Sequence, residues 1–461
     1  MRWMAALGIC GVFFCSGGAL GAEVKRLATD KALETGKASE RSISMVDRQQ
    51  GREHLLKVVV LSRHGVRSPT ERREELRQWT KRAWPAWKVK RGELTPRGAE
   101  LITALWEQER NVLAKSGLMP SKGCPEEGSV FVYADRDQRT RETARALLKG
   151  LAPGCGFIPA VVDKAGPDPL FHPLEGGQCR VDEKAAARQT RLAMRGSPDA
   201  VIRDEENALL LLGKIAGPLP ADQCEKAGLP QNCTAVDMPT QLRIDAKGAR
   251  LEGGLSTASR LAEIFFLEYA QWPKQDAGWG EVDAETLRTI MPVHARVFDI
   301  LHKTPALAVG GSALLNAMTQ ALTSAHAEAA INQARLVVFV GHDTNIANVA
   351  GLLDLDWKLG DYAPGQIPPG SALVFTLWKK ADGSRVVRAH FRGQSVQTLH
   401  DATVRSVPFL ETALLFPDSG KKGVPSSELS VADFEARVNS VVDKGCVPPQ
   451  GKLVMRRKTL D

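Results

Sequence analysis

Apolar residues fall in short β-branched runs separated by stretches of helical spacing. Lys57-Val-Val-Val-Leu-Ser62, Val130-Phe-Val-Tyr-Ala134 and Leu336-Val-Val-Phe-Val340 have the length and composition of strands. Between the first two, Thr95 can cap a helix with Pro96 at its first position, and Ile102, Leu105 and Trp106 fall on one face. Asp137 to Lys149 reads as a helix closed by Gly150. Arg72 to Trp87 keeps no clean period and reads as loop or short helix. From about 175 to 305 strand signals nearly vanish, while Arg203 to Ile215 and Ser256 to Ala270 keep helical spacing. Thr344 to Leu353 is helical again, and Leu373 to Trp378 with Val386 to Phe391 forms a late antiparallel pair. Alternating strands and helices predict an α/β fold: a mainly parallel central sheet flanked by helices, with an inserted all-α domain. The expected division assigns 51–175 and 306–461 to the α/β part and 176–305 to the insertion.

The first residues carry a different pattern. Arg2, the apolar stretch Met4 to Cys15 and the small residues Ser16 to Ala22 read as a secretory signal peptide, cleaved after Gly21 or Ala22. The run is shorter than the ~20 residues a spanning helix needs. Residues 23–50 are polar and read as a leader. The expectation is a periplasmic or secreted monomer with no membrane association after cleavage.

Composition narrows the class. The chain has 461 residues, 43% hydrophobic and 25% charged, which excludes disordered, collagen-like and coiled-coil classes. The net charge of +8 is diffuse; it suits a small anionic substrate and gives no ground for a nucleic-acid partner. Eight Cys without any CxxC pair argue against zinc ribbons and thioredoxin-like sites. Signal cleavage removes Arg2, Cys10 and Cys15, leaving +7 and six Cys, hence three expected disulfides with many possible connectivities. Cys224 and Cys233 bracket a short loop, Cys124 and Cys155 flank a strand–helix unit, and Cys179 and Cys446 remain.

Three strand ends concentrate charge. The first runs into Arg63-His-Gly-Val-Arg-Ser-Pro-Thr70, the second into Asp135-Arg-Asp-Gln-Arg-Thr140, the third into Gly341-His-Asp-Thr-Asn345. In an open α/β sheet the carboxyl ends of the strands form the ligand crevice, so the three can share one pocket. Arg63 and Arg67 offer planar donor forks matched to phosphate oxygens. His64 between them is a competent nucleophile once neutral. Gly65 permits a sharp turn. Asp343 is a candidate general acid for a leaving alkoxide, or only the cap of the following helix. Arg139 belongs either to the pocket or to a solvated helix face.

These residues resemble the histidine acid phosphatases, the RHGxRxP branch of the histidine phosphatase superfamily, and within it the bacterial periplasmic phytase/acid phosphatase and glucose-1-phosphatase group. Supporting matches are Gly92 to Gly98, Asp137-Gln-Arg-Thr140, Gly278-Trp-Gly280 and Pro368-Pro-Gly370. The resemblance spans about residues 55–450. It implies that His64 becomes a phosphohistidine, and that Arg63, Arg67, Arg139 and His342 grip the phosphate. It implies that Asp343 protonates the leaving group, that Thr70 and Thr344 line the pocket, and that no metal or other cofactor takes part. It also implies the pairs Cys124–Cys155, Cys179–Cys446 and Cys224–Cys233. Glu71 stands where the enteric phytases carry Lys after Pro-Thr, with Arg72 and Arg73 following. Asp276 matches an acidic lid residue, and His294 falls near the pocket. The resulting expectation is a metal-independent acid phosphomonoesterase acting on phytate or related inositol phosphates. A sugar-phosphate or broad phosphatase is the alternative. A mutase and a non-catalytic periplasmic binder of phosphate esters are weaker rivals, since the motif Pro, the nucleophile and the acid are all present.

Overall fold

The computed structural model describes residues 53–162, 165–274, 277–401, 408–417, 424–448 and 455–456. The expected signal peptide and leader, and Asp276, lie outside the described residues.

Eleven strands are described: β1 (His54–Arg63), β2 (Val130–Ala134), β3 (Ala160–Val162), β4 (Gln241–Asp245), β5 (Gly248–Glu252), β6 (Leu336–Gly341), β7 (Ala372–Lys379), β8 (Arg385–Gly393), β9 (Leu410–Leu414), β10 (Glu428–Ser430) and β11 (Met455–Arg456). Nine of them make one sheet in the order β10-β8-β7-β1-β6-β2-β3-β11, with β9 also on β8. Its centre, β1-β6-β2-β3, is parallel. Antiparallel strands flank it on both sides, including the expected β7–β8 pair.

β2 and β6 are buried throughout, and β1 over its last seven residues. Continuous apolar runs of this kind need cover on both faces. Alternate residues supply the two cores. Val58, Val60, Val132 and Val338 face α1 (Pro96–Lys115) and α2 (Gln138–Leu151), whose Ile102, Leu105, Leu147 and Leu151 complete one core. Val59, Leu61, Tyr133 and Phe339 face the opposite core, built with α3 (Gly254–Gln271), α4 (Ala284–His302), α5 (Ser312–Thr323) and α6 (Asp343–Leu353).

Several expectations are refined. Thr95 caps α1 as predicted, its hydroxyl accepting from the Gly98 amide at 2.9 Å. α2 does not stop at Gly150 but runs through it. A Cβ there would lie 2.2 Å from the Thr103 carbonyl, so this glycine serves the close approach of α1 rather than a helix end. The cap of α6 is His342; Asp343 is its first helical residue. Residues 176–305 are mostly helical but also carry the β4–β5 hairpin, which the sequence pattern does not announce. Three disulfides join Cys124 to Cys155, Cys179 to Cys446 and Cys224 to Cys233.

Register explains the assembly of the crevice. Arg63 lies opposite Gly341, and Ala134 opposite Val340. The three charged strand ends are therefore level and adjacent.

Candidate active site

His64 leaves β1 into a loop held from both sides. Its amide donates to the Gly341 carbonyl at 3.0 Å, and its carbonyl accepts from Gly370 at 2.9 Å. The Arg63 amide donates to Ser371, and the Arg63 guanidinium to the Ile367 carbonyl at 2.5 Å, so the Pro368-Pro-Gly370 segment buttresses the strand end. Gly65 has no space for a side chain: a Cβ would sit 2.9 Å from Ile102 and 3.1 Å from the Gly98 carbonyl.

His64 is 2% exposed. Its Nδ1 lies 2.9 Å from the Gly65 carbonyl, which can only accept, so Nδ1 carries the proton. That tautomer leaves the Nε2 lone pair free. Burial first, then the charges of Arg63, Arg139 and Arg67, push His64 well below the ordinary imidazole value. The ring is neutral and nucleophilic.

Arg63 is 1% exposed and is gripped by two carboxylates on one nitrogen: Glu263 at 2.5 Å and Asp343 at 2.7 Å. Glu263, from the buried face of α3, also lies 3.8 Å from Arg67 and 3.6 Å from His294. Burial alone would raise Asp343, but Arg63 foremost, with Arg67, holds its carboxyl well below the usual range. Asp343 is ionised in the free pocket. The Thr344 amide and hydroxyl donate to its other oxygen, at 2.8 and 3.4 Å.

His342 stands across the pocket, its ring centroid 5.6 Å from that of His64. Its Nε2 lies 2.8 Å from Asp135 Oδ2 and its Nδ1 3.3 Å from Arg139 Nη2. Since Asp135 only accepts, Nε2 holds the proton and Nδ1 faces Arg139. Arg139 is itself aimed by Asp137 at 2.6 Å. Asp135 is fully buried and takes a second imidazole, His172 Nε2, at 3.1 Å. Burial opposes its charge, yet hydrogen bonds from His172 and His342 outweigh that and hold Asp135 far below the usual value.

The structure thus brings together Arg63, His64, Arg67, Arg139, His342, Asp343 and Thr344. Thr70 is exposed and lies beside Gly92 rather than in the buried centre. His294 sits behind Glu263, donating from Nδ1 to the Ser259 carbonyl at 3.0 Å. Glu71 is not a bare anion: its side chain is 8% exposed and lies 3.4 Å from Arg260. Sequence reasoning missed Glu263, His172 and the part played by Asp135. A lone acid in the apolar run Leu261 to Leu267 was a signal for Glu263; no motif marks His172.

The chain matches the family model described as histidine phosphatase superfamily (branch 2) over residues 54–215 and 263–392. It is 35% identical to phytase AppA of Escherichia coli (strain K12) over 360 residues, 76% of this chain and 83% of that protein. It is 29% identical to a glucose-1-phosphatase of Salmonella typhimurium over 76% of this chain and 83% of that one. The solved structure of Hafnia alvei phytase in complex with tartrate superposes with a TM-score of 0.79 at 32% identity, covering 86% of this chain and 99% of that one.

Proposed function

The chain belongs to branch 2 of the histidine phosphatase superfamily, and from that premise we propose that it hydrolyses phosphomonoesters through His64, with phytate or a related inositol phosphate as preferred substrate. It is a phosphoric monoester hydrolase of the phytase-like acid phosphatase class. The observation that carries the residue roles is the neutral His64 ring, Nδ1 tied to the Gly65 carbonyl and Nε2 free, among three arginines.

In this reading Arg63, Arg67, Arg139 and His342 receive the phosphoryl oxygens, and Nε2 of His64 attacks phosphorus in line with the leaving oxygen. The P–O ester bond breaks as the P–N bond forms, and the Asp343 carboxyl gives its proton to the leaving alkoxide. Water then attacks the phosphohistidine, the P–N bond breaks, and the water proton returns to Asp343. Asp343 must first be protonated, yet it is ionised in the free pocket. An incoming phosphoryl group competes for Arg63 and adds negative charge nearby; both changes raise the proton affinity of the carboxyl. Activity in the acid range follows.

The phytate preference rests on the 35% and 32% identities to phytases, against 29% to the glucose-1-phosphatase. The ion pair from Glu71 to Arg260 removes an objection from charge. We place the protein in the periplasm or outside the cell, acting as a monomer. No described helix is long and apolar enough to cross a membrane.

Initial rates on phytate, glucose-1-phosphate and p-nitrophenyl phosphate, at pH 4 to 7 with chelator present, test this. Phytate is expected to give the highest kcat/KM, and His64→Ala to abolish turnover of all three. Negligible phytate turnover would remove the substrate assignment, and full activity in His64→Ala the mechanism.

A further inference from the structure

Asp135, His172 and His342 come from three separate segments: the end of β2, the loop after β3, and the cap of α6. One donor atom from each lies within 4.8 Å of the others. Both imidazoles aim Nε2 at the same oxygen, Asp135 Oδ2, at 3.1 and 2.8 Å. The second oxygen, Oδ1, is buried and has no hydrogen-bond partner. A fully buried carboxylate with one oxygen overloaded and the other bare is a poor end state for a hydrogen-bond network. As a ligand set it is well formed: two imidazole nitrogens and one carboxylate oxygen suit zinc, copper or nickel rather than magnesium or calcium.

We infer that Asp135, His172 and His342 form an inhibitory site for a borderline transition-metal dication such as Zn²⁺. Metal–nitrogen bonds of about 2.0–2.1 Å place tetrahedral ligand atoms roughly 3.3 Å apart. The two nitrogen–oxygen spacings, 3.1 and 2.8 Å, are close to that, and the two imidazole nitrogens lie within 4.8 Å of each other. Three protein ligands leave a coordination position open for water or phosphate. The ion takes no part in the hydrolysis proposed above.

Proton placement shows why occupation blocks the pocket. The metal displaces the Nε2 proton of each imidazole. In neutral His342 that proton is the only one, so it moves to Nδ1, where Arg139 Nη2 already stands 3.3 Å away. Donor meets donor, and Arg139 is left with Asp137 as its anchor. His342 is also withdrawn from phosphate capture. That blockade rests on the proposed role of His342, whereas metal binding itself does not.

Three measurements test the assignment on the full mature chain, without a polyhistidine tag, in a non-chelating buffer at pH 6. Calorimetry with Zn²⁺ should give one tight site in the wild type, weakened at least ~10-fold in His172→Asn, the scale of ligand-environment changes at metal sites. Inhibition of p-nitrophenyl phosphate hydrolysis by Zn²⁺, each variant scaled to its own metal-free rate, should shift by the same factor. This substrate avoids the chelation of metal by phytate. The electron paramagnetic resonance spectrum of one equivalent of Cu²⁺ on the wild type should show coupling to two imidazole nitrogens, with no variant required. Equal Zn²⁺ affinity in His172→Asn and wild type, no binding to the wild type, or a Cu²⁺ signal without two nitrogens would overturn the site. Zn²⁺ binding that shifts while inhibition does not would overturn the blockade.

Discussion

The two walls of the pocket around His64 solve one problem with different chemistry. On one wall the buried carboxylate of Glu263 holds Arg63 and reaches toward Arg67. On the other the buried carboxylate of Asp135 holds His342 and His172. Each carboxylate fixes the direction of a group proposed to receive phosphate. Arginine stays charged from pH 4 to 7, so the grip of Arg63 and Arg67 is itself insensitive to pH. Histidine titrates, so the Asp135 wall is not. The same pocket therefore carries a permanent grip and an adjustable one.

Removing the permanent grip should cost most. Glu263→Gln leaves Asp343 as the one carboxylate on Arg63, and misplacing a positioning group by an ångström costs about 10²-fold. We expect a loss of that order in kcat/KM, uniform from pH 4 to 7; a loss that varied strongly with pH would undo the contrast. Asp135→Asn should cost about 10-fold, nearer the low end for outer partners of a site. Its loss should grow as pH rises, because His342 without its carboxylate needs a lower pH to become the cation that meets phosphate. A flat profile would assign Asp135 a purely structural role.

The smaller effects lie in stability. Burial opposes charge on His172, but hydrogen bonds to Asp135 and Glu175 push it up to about 10. A raised histidine stabilises the folded state fully below its unfolded value of about 6.5 and loses that contribution as pH climbs through the folded value. His172→Asn should lower Tm below pH 6.5, with the gap to wild type closing by about pH 10. Smallest, and opposite in sign, is Glu268, which shares α3 with Glu263 but pairs with no cation among the described residues. Its Oε2 accepts from the Gly278 amide at 2.9 Å, and burial pushes it up to about 7. A raised carboxyl destabilises the fold as pH rises from the unfolded value of about 4.5 to 7. Glu268→Gln should flatten that decline, read as Tm at pH 5 and 7; an unchanged slope would mean the group is not the titrating one.

The legible parts of this molecule are those written locally. β2 is read residue for residue because Val130 to Ala134 is bounded by turn residues and buried on both faces. The segments carrying Arg63, His64, Arg67, His342 and Asp343 are legible because each lies at the end of a recognisable strand. Glu263 and His172 are not, because their function depends on which distant residue they face. Glu263 is 200 residues from Arg63, and His172 lies 37 from Asp135. The β4–β5 hairpin escaped for another reason: its strands are half exposed and polar, so alternation gives little signal. Gly150 shows that one residue type has two meanings, chain end or close approach, which only packing separates.

The Cys179–Cys446 bridge spans 267 residues and encloses the Cys224–Cys233 pair. Chain-entropy estimates give a loop of that size about 5.5 kcal/mol of stabilisation. Its place in the order of synthesis has a further consequence. A chain oxidised while it emerges exposes Cys179 to Cys124 and Cys155, then to Cys224 and Cys233, and Cys446 arrives last. Correct pairing must await the far end or pass through thiol–disulfide exchange. Yield of active protein should thus track the supply of a disulfide isomerase rather than of oxidant, and truncation of the tail before Cys446 should leave Cys179 to trap the nearer thiols.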